Sequence, residues 1–176
     1  SRLGDPWKIV SFSVYGASLV LLYLASTLYH SFRGNAKRIF QKIDHGAIYL
    51  LIAGSYTPFT LVTIRGAWGW SIFGVIWGLA VLGIAVDLLH DGARRRVLPL
   101  VLYILMGWLV VVALRPLLRV LPLEGFAWLL AGGLLYTTGI LFYALDRRIP
   151  HGHGIFHLFV LAGSAAQFFV IYAYVL

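Results

Sequence analysis

Six apolar segments, each about 20 residues long, run through this chain and are separated by short loops rich in glycine, proline and arginine. A helix of that length crosses the hydrocarbon core of a bilayer. Hydrophobic residues make up 61% of the 176 residues, and charged residues only 11%, against about 25% in soluble domains. We therefore predict an all-α integral membrane protein. The segments cover approximately residues 7–32, 39–64, 68–89, 97–118, 126–145 and 151–176.

The remaining composition limits the partners and the chemistry. The loops are too short for a second domain, so residues 1–176 are expected to form a single transmembrane helical bundle. The net charge of +8 is typical of loops that face anionic lipid, and it is not interpreted as nucleic-acid binding. The chain has no cysteine, so a metal ion would have to be held by histidine and carboxylate.

Lysine and arginine are distributed unequally between the two sides of the predicted bundle. Successive loops fall on alternate sides, and the basic residues divide nine against five. The richer side is predicted to be cytoplasmic, with the start of the first segment and the C-terminus outside. The nine residues are Arg33, Lys37, Arg38, Lys42, Arg94, Arg95, Arg96, Arg147 and Arg148.

Three histidines and an aspartate belong to segment ends on the predicted cytoplasmic side. His30 ends the first segment, Asp44 begins the second, and His153 and His157 begin the sixth. The i, i+4 spacing of the last two places both imidazoles on one helix face, about 6 Å apart along the axis. Three imidazoles leave a fourth position open for water, as in catalytic zinc sites. We predict zinc at His30, His153 and His157.

Two further residues are candidates for catalysis, and each also has a structural interpretation. Asp44 could hold or deprotonate a water molecule, or it could be a carboxylate near a helix N-terminus or an ion-pair partner of Lys42 or Arg38. Ser26 lies one turn from His30 and could orient the water or stabilise an oxyanion. Its hydroxyl could instead bond to the carbonyl four residues earlier.

Other polar positions have weaker functional interpretations. His151 precedes the sixth helix and is expected to be a solvated loop residue, and His45 points about 100° away from Asp44 on a helix. His90 is interpreted as a cap at the membrane interface. Pro58 is expected to kink the second helix.

Three sequence blocks together resemble the haemolysin III branch of the progestin and adiponectin receptor superfamily. The similarity extends over nearly the whole chain, and the combination of blocks is specific, whereas each block alone would be weak. The blocks are Ser26-x-x-x-His30, the stretch from Asp44 through Gly54-Ser55-Tyr-Thr-Pro58, and Gly152-His153-Gly-Ile-Phe-His157.

The resemblance implies a seven-helix bundle with a cytoplasmic N-terminus, an extracellular C-terminus and a zinc ion near the cytoplasmic side. It maps the three zinc ligands to His30, His153 and His157, and the residues beside the zinc water to Asp44 and Ser26. Six segments are present here, so the family's first helix is expected to be missing from this chain.

Three functions follow from these features. The first is a zinc-dependent hydrolase in the plasma membrane that cleaves amide-linked lipids, because the family is similar to the alkaline ceramidases and zinc lowers the pKa of a bound water from about 15.7 toward 7. The second is a channel or cytolysin, as the family name suggests, although the helices are nearly apolar all round. The third is a membrane receptor or sensor with a structural, four-coordinate zinc. Membrane lipids are the expected partners in all three.

Overall fold

A computed structural model describes residues 4–89, 97–146 and 148–176, and these ranges contain helices and short connections without strands. The all-α prediction is confirmed. The helices are α1 (Pro6–Ser31), α2 (Gly34–Pro58), α3 (Ala67–Leu89), α4 (Val97–Trp108), α5 (Leu114–Val120), α6 (Leu123–Ala144) and α7 (Gly152–Val170). Two π-helical turns (Phe59–Thr63 and Ile171–Val175) and a 3₁₀ stretch (Leu109–Ala113) extend or join them.

Six helical spans in the described ranges are long and apolar enough to cross a membrane, as predicted. Large apolar side chains point outward along these spans: Val20, Val81, Leu105 and Leu161 are all more than half exposed. Exposed apolar surfaces of this extent are typical of contact with membrane lipid, because their exposure to water would be unfavourable. The protein is therefore a multi-pass membrane protein.

The largest boundary difference is at the start of α2. The helix begins at Gly34, five residues before the apolar run at Ile39 on which the prediction rested. Arg33 is extended and Gly34 has φ +62°, so the backbone turns here, and residues of good helix propensity follow. Asp44 consequently lies about three turns inside α2 and does not begin it.

Contacts divide the chain into two compact units, residues 1–113 and 114–176. In the first unit, α1 and α2 form a close antiparallel hairpin. Gly54 allows this approach, because a Cβ atom at that position would lie 2.9 Å from Ser18 Cβ. The hydroxyl of Ser18 donates to the Tyr15 carbonyl at 2.7 Å, which satisfies it within its own helix.

At Pro58, where the sequence predicts a kink, α2 ends and a π-helical turn follows over Phe59–Thr63. The amide of Ile64, directly after this turn, donates to the Phe59 carbonyl five residues earlier at 2.8 Å. Proline has no N–H to donate, which favours such departures from the α-helical pattern.

A second irregularity, not predicted from the sequence, interrupts the fourth span after α4. The Tyr56 hydroxyl donates to the Gly107 carbonyl and accepts from the Val110 amide, both at 2.8 Å. These backbone groups lie where the α-helix changes to 3₁₀ geometry. The Tyr56 side chain thus replaces backbone hydrogen bonds that are lost where the α-helix is interrupted. Such replacement is needed because the core of a bilayer contains no water to bond these groups.

In the second unit, α6 and α7 pack through small residues. A Cβ atom at Gly163 would lie 3.0 Å from the Tyr136 ring, and one at Gly139 would lie 3.0 Å from Phe159 Cβ. The hydroxyls of Tyr136 and Ser164 are hydrogen-bonded at 2.8 Å. Close small-residue contacts with a polar bond between helices are a usual basis of packing in membranes.

Candidate metal centre

The two histidines of α7 lie in its first two turns. His153 and His157 have Nε2 atoms 3.1 Å apart, and both side chains are half-buried. Two nitrogens on one tetrahedral zinc, each at 2.0–2.1 Å from the metal, would be about 3.3 Å apart. The pair therefore stands close to chelating geometry, and that geometry follows from the i, i+4 spacing on one helix.

The α1–α2 hairpin brings Ser26 and Asp44 together. The serine hydroxyl donates a hydrogen bond to the half-buried carboxylate. Neighbouring Thr27 bonds within its own helix, to the Tyr23 carbonyl at 2.7 Å. For Asp44, the interpretation as an N-terminal carboxylate is wrong, because a helix dipole acts only within the first turn.

His30, the third predicted ligand, belongs to the other compact unit. It is exposed at the last turn of α1, while His153 and His157 are half-buried in α7. The donor set is three imidazoles, a ligand type that zinc prefers.

Aromatic rings adjoin the histidines in each unit. The Tyr29 ring lies 4.7 Å from that of His30, and Lys37 Nζ lies 5.2 Å from the Tyr29 ring centre. On α6, the Tyr143 ring lies 5.9 Å from that of His153. Rings this close occupy space beside the imidazoles and restrict their orientations, one means by which neighbouring residues tune a metal site.

The other polar positions have the following outcomes. His151 is exposed at the N-cap of α7 in a left-handed conformation, with φ 59°, in agreement with its interpretation as a solvated residue. His45 contributes its backbone carbonyl to a hydrogen bond from Tyr103. The positions at His90, Arg94–Arg96 and Arg147 lie outside the described residues.

Sequence reasoning missed Tyr143 beside His153 and Tyr103 beside the Asp44 segment. Both are tyrosines within apolar spans, where a buried hydroxyl needs a partner. That requirement singles them out as residues with specific neighbours. It does not identify those neighbours, because they belong to other helices.

Comparison with known proteins gives consistent matches over most of the chain. The family model described as haemolysin-III related matches residues 1–168. "Hemolysin-3" of Bacillus cereus is 48% identical, over all of this chain and 80% of that protein. A "Hemolysin-3 homolog" of Bacillus subtilis is 45% identical, over 99% of this chain and 81% of that protein. The human "Monocyte to macrophage differentiation factor" is 32% identical, over 98% of this chain and 74% of that protein.

Proposed function

The chain belongs to the haemolysin-III-related family, within the progestin and adiponectin receptor superfamily, and on that premise we propose that it is a zinc-dependent hydrolase of amide-linked lipids. The observation that carries the proposal is the histidine pair of α7, His153 and His157, whose Nε2 atoms lie 3.1 Å apart. His30, at the last turn of α1, is proposed as the third ligand. Three protein ligands leave the fourth position of a tetrahedral zinc open, which is the arrangement of catalytic sites.

The residues of the α1–α2 hairpin supply the proton chemistry in this proposal. Bound zinc would supply Lewis acidity, which polarises a carbonyl and makes water a stronger acid. Asp44 accepts a proton from the attacking water and returns it to the leaving amine, so the amide yields a carboxylic acid and an amine. The Ser26 hydroxyl, which donates to this carboxylate, keeps it oriented between the two proton transfers.

The proposed substrate is a membrane lipid, and the proposed location is the plasma membrane with the zinc on its cytoplasmic side. The outward-facing apolar side chains support lateral entry of a lipid between helices. The nine-to-five distribution of basic residues supports the orientation.

The cysteine-free chain allows a direct test of the orientation. We expect Asn35→Cys to react with an impermeant thiol reagent only after the cytoplasmic face is opened, and Glu124→Cys to react in intact cells. Labelling of position 35 from outside intact cells would reverse the orientation and move the proposed zinc to the outer leaflet.

Metal analysis tests the zinc site. Protein purified without chelator should contain about one zinc per chain, and His157→Ala should lose most of it. His151→Ala is the matched control, because it removes an exposed histidine from the same stretch and should leave the zinc content unchanged. A zinc content far below one per chain in the unsubstituted protein would overturn the proposal.

Hydrolysis is tested in nanodiscs that contain ceramide as the amide-linked lipid, with mass-spectrometric detection of the released fatty acid. We expect turnover that depends on both zinc and Asp44. If the protein has its full zinc content but releases fatty acid no faster than ceramide nanodiscs without protein, the proposed hydrolase activity is contradicted and a structural zinc is favoured.

A further inference from the structure

A buried pair of tyrosines links α2 to α4 next to Asp44. The Tyr103 hydroxyl donates to the backbone carbonyl of His45 at 3.1 Å, and its ring lies 4.6 Å from that of Tyr49. Tyr49 is 0% exposed and Tyr103 is 7% exposed. The hydrogen bond therefore ends on the residue that follows Asp44 and is shielded from lipid and water.

Helix α3 completes this group from a third direction. A Cβ atom at Gly83 would overlap the Tyr49 ring, so only glycine lets that ring lie against α3. One turn further along, Asp87 lies beside the Tyr49 hydroxyl, which also lies close to Tyr103. The Tyr49 hydroxyl and one carboxylate oxygen of Asp87 are buried without a hydrogen-bond partner among the described residues. We call Tyr49, Asp87 and Tyr103 the tyrosine–aspartate cluster.

Two neighbouring residues of α2 accept hydrogen bonds from two other helices. Asp44 accepts a hydrogen bond from Ser26 of α1, and His45 accepts one from Tyr103 of α4. The His45 carbonyl lies inside α2, where the amide four residues later already satisfies it. The bond from Tyr103 is therefore not needed to form the helix. It restricts rotation and sliding of α2 relative to α4.

We propose that Tyr103 is a positioning residue for Asp44, and that packing against the buried Tyr49 ring keeps the Tyr103 ring in place. This inference rests on the proposed role of Asp44 as a base. Tyr103→Phe should lower kcat about tenfold, because displacement of a reacting group by about 1 Å can cost up to 10²-fold. KM and zinc content should stay unchanged, since the three histidines belong to α1 and α7.

Disulfide cross-linking measures the position of residue 44 without any need for catalysis. Ser26→Cys with Asp44→Cys places two thiols at hydrogen-bonded positions in a chain with no other cysteine. We expect the initial rate of oxidative cross-linking in membranes to fall at least threefold when Tyr103→Phe is added. Tyr172→Phe, which removes an exposed hydroxyl elsewhere, should leave this rate unchanged.

A second pair of cysteines reports on general loosening of the hairpin. Ser18→Cys with Gly54→Cys joins α1 and α2 ten residues further along α2, where the two positions are in contact. Gly54→Cys itself widens the hairpin at this point, so the quantity compared is the change in cross-linking rate that Tyr103→Phe adds to this pair, which should be less than twofold. Equal cross-linking rates with and without the Tyr103 hydroxyl, or an equal fall in both pairs, would overturn the inference.

A double-mutant cycle tests whether Tyr103 acts through Asp44. Tyr103→Phe should lower kcat about tenfold in the unsubstituted protein but less than twofold in the Asp44→Asn background. An equal tenfold loss in both backgrounds would show a merely structural role and overturn the inference. Absence of hydrolysis in the unsubstituted protein would overturn the proposed function instead. The cross-linking rates would then test by themselves whether Tyr103 fixes the position of residue 44.

Discussion

The two helical hairpins that carry the candidate site residues are built in different ways. In the α6–α7 hairpin, His153 and His157 belong to one helix, and their Nε2 separation of 3.1 Å follows from the i, i+4 repeat. In the α1–α2 hairpin, Ser26 and Asp44 belong to different helices and meet only because those helices pack closely. The histidine pair is a local property of α7, and the serine–aspartate pair is a tertiary one.

This difference separates metal binding from proton transfer in the proposed enzyme. A local pair keeps its geometry as long as its helix remains folded. A pair between two helices changes with any rotation or separation of those helices, and 1 Å is enough to affect catalysis. Substitutions in the α1–α2 hairpin away from His30 should therefore affect turnover more than zinc content.

The largest effect is expected from the histidines, and it distinguishes the two hairpins. His157→Ala should weaken zinc binding by more than about 10²-fold, since loss of an outer-shell partner alone costs 10- to 100-fold. His30→Ala should also lose most of the zinc, but less completely, because it leaves the preformed α7 pair intact. Competition against a chelator of known affinity measures both. A weaker affinity in His30→Ala than in His157→Ala would contradict the idea that the preformed α7 pair provides most of the affinity.

The next effect concerns Asp44 alone. Asp44→Asn preserves the shape of the side chain and removes the base, so hydrolysis should fall by about 10²-fold or more. Zinc should remain, because the three histidines stay in place. Zinc content and fatty-acid release are measured on the same preparation. If Asp44→Asn lost zinc as fully as His30→Ala, Asp44 would be a direct ligand and the site would be closed and structural.

The same difference explains how much could be predicted from the sequence. Six apolar spans and the histidine pair are local patterns, and the structure contains both the spans and a closely spaced pair. The interior position of Asp44 could not be derived, because the first turns of α2 are polar and the prediction followed hydropathy. The 3₁₀ stretch at Leu109–Ala113 is associated with bonds from Tyr56, more than 50 residues earlier. No local pattern encodes such a contact.

A smaller effect is expected from the glycines at the two helix interfaces. Gly54→Ala and Gly163→Ala both add a Cβ atom where space is short, and each should destabilise the protein by about 1–3 kcal/mol. Gly54→Ala should also slow hydrolysis, because it spreads the hairpin that brings Ser26 to Asp44, whereas Gly163→Ala should leave the α7 histidine pair intact. Thermal unfolding in detergent and zinc content measure these effects.

Gly133→Ala is the matched control for these glycine substitutions. A Cβ atom there meets no other atom within 4 Å, and alanine is favoured over glycine inside a helix by about 1 kcal/mol. This variant should be unchanged or slightly more stable. Equal destabilisation at Gly133 and at Gly54 would show that helix propensity, and not interhelical space, determines these positions.

The smallest effect is expected from Ser26→Ala. The serine hydroxyl donates to a half-buried carboxylate, and a hydrogen bond to a charged group contributes about 1.5–3 kcal/mol when fully buried. Partial exposure reduces this to about 1 kcal/mol, so turnover should fall about fivefold, with zinc content unchanged. Thr27→Ala is the control, because the Thr27 hydroxyl is bonded within α1 to the Tyr23 carbonyl and is exposed. A fivefold loss in both variants would mean that α1 itself is weakened. A loss confined to Ser26→Ala, and absent when Asp44→Asn is already present, would show that the serine acts through the carboxylate it contacts.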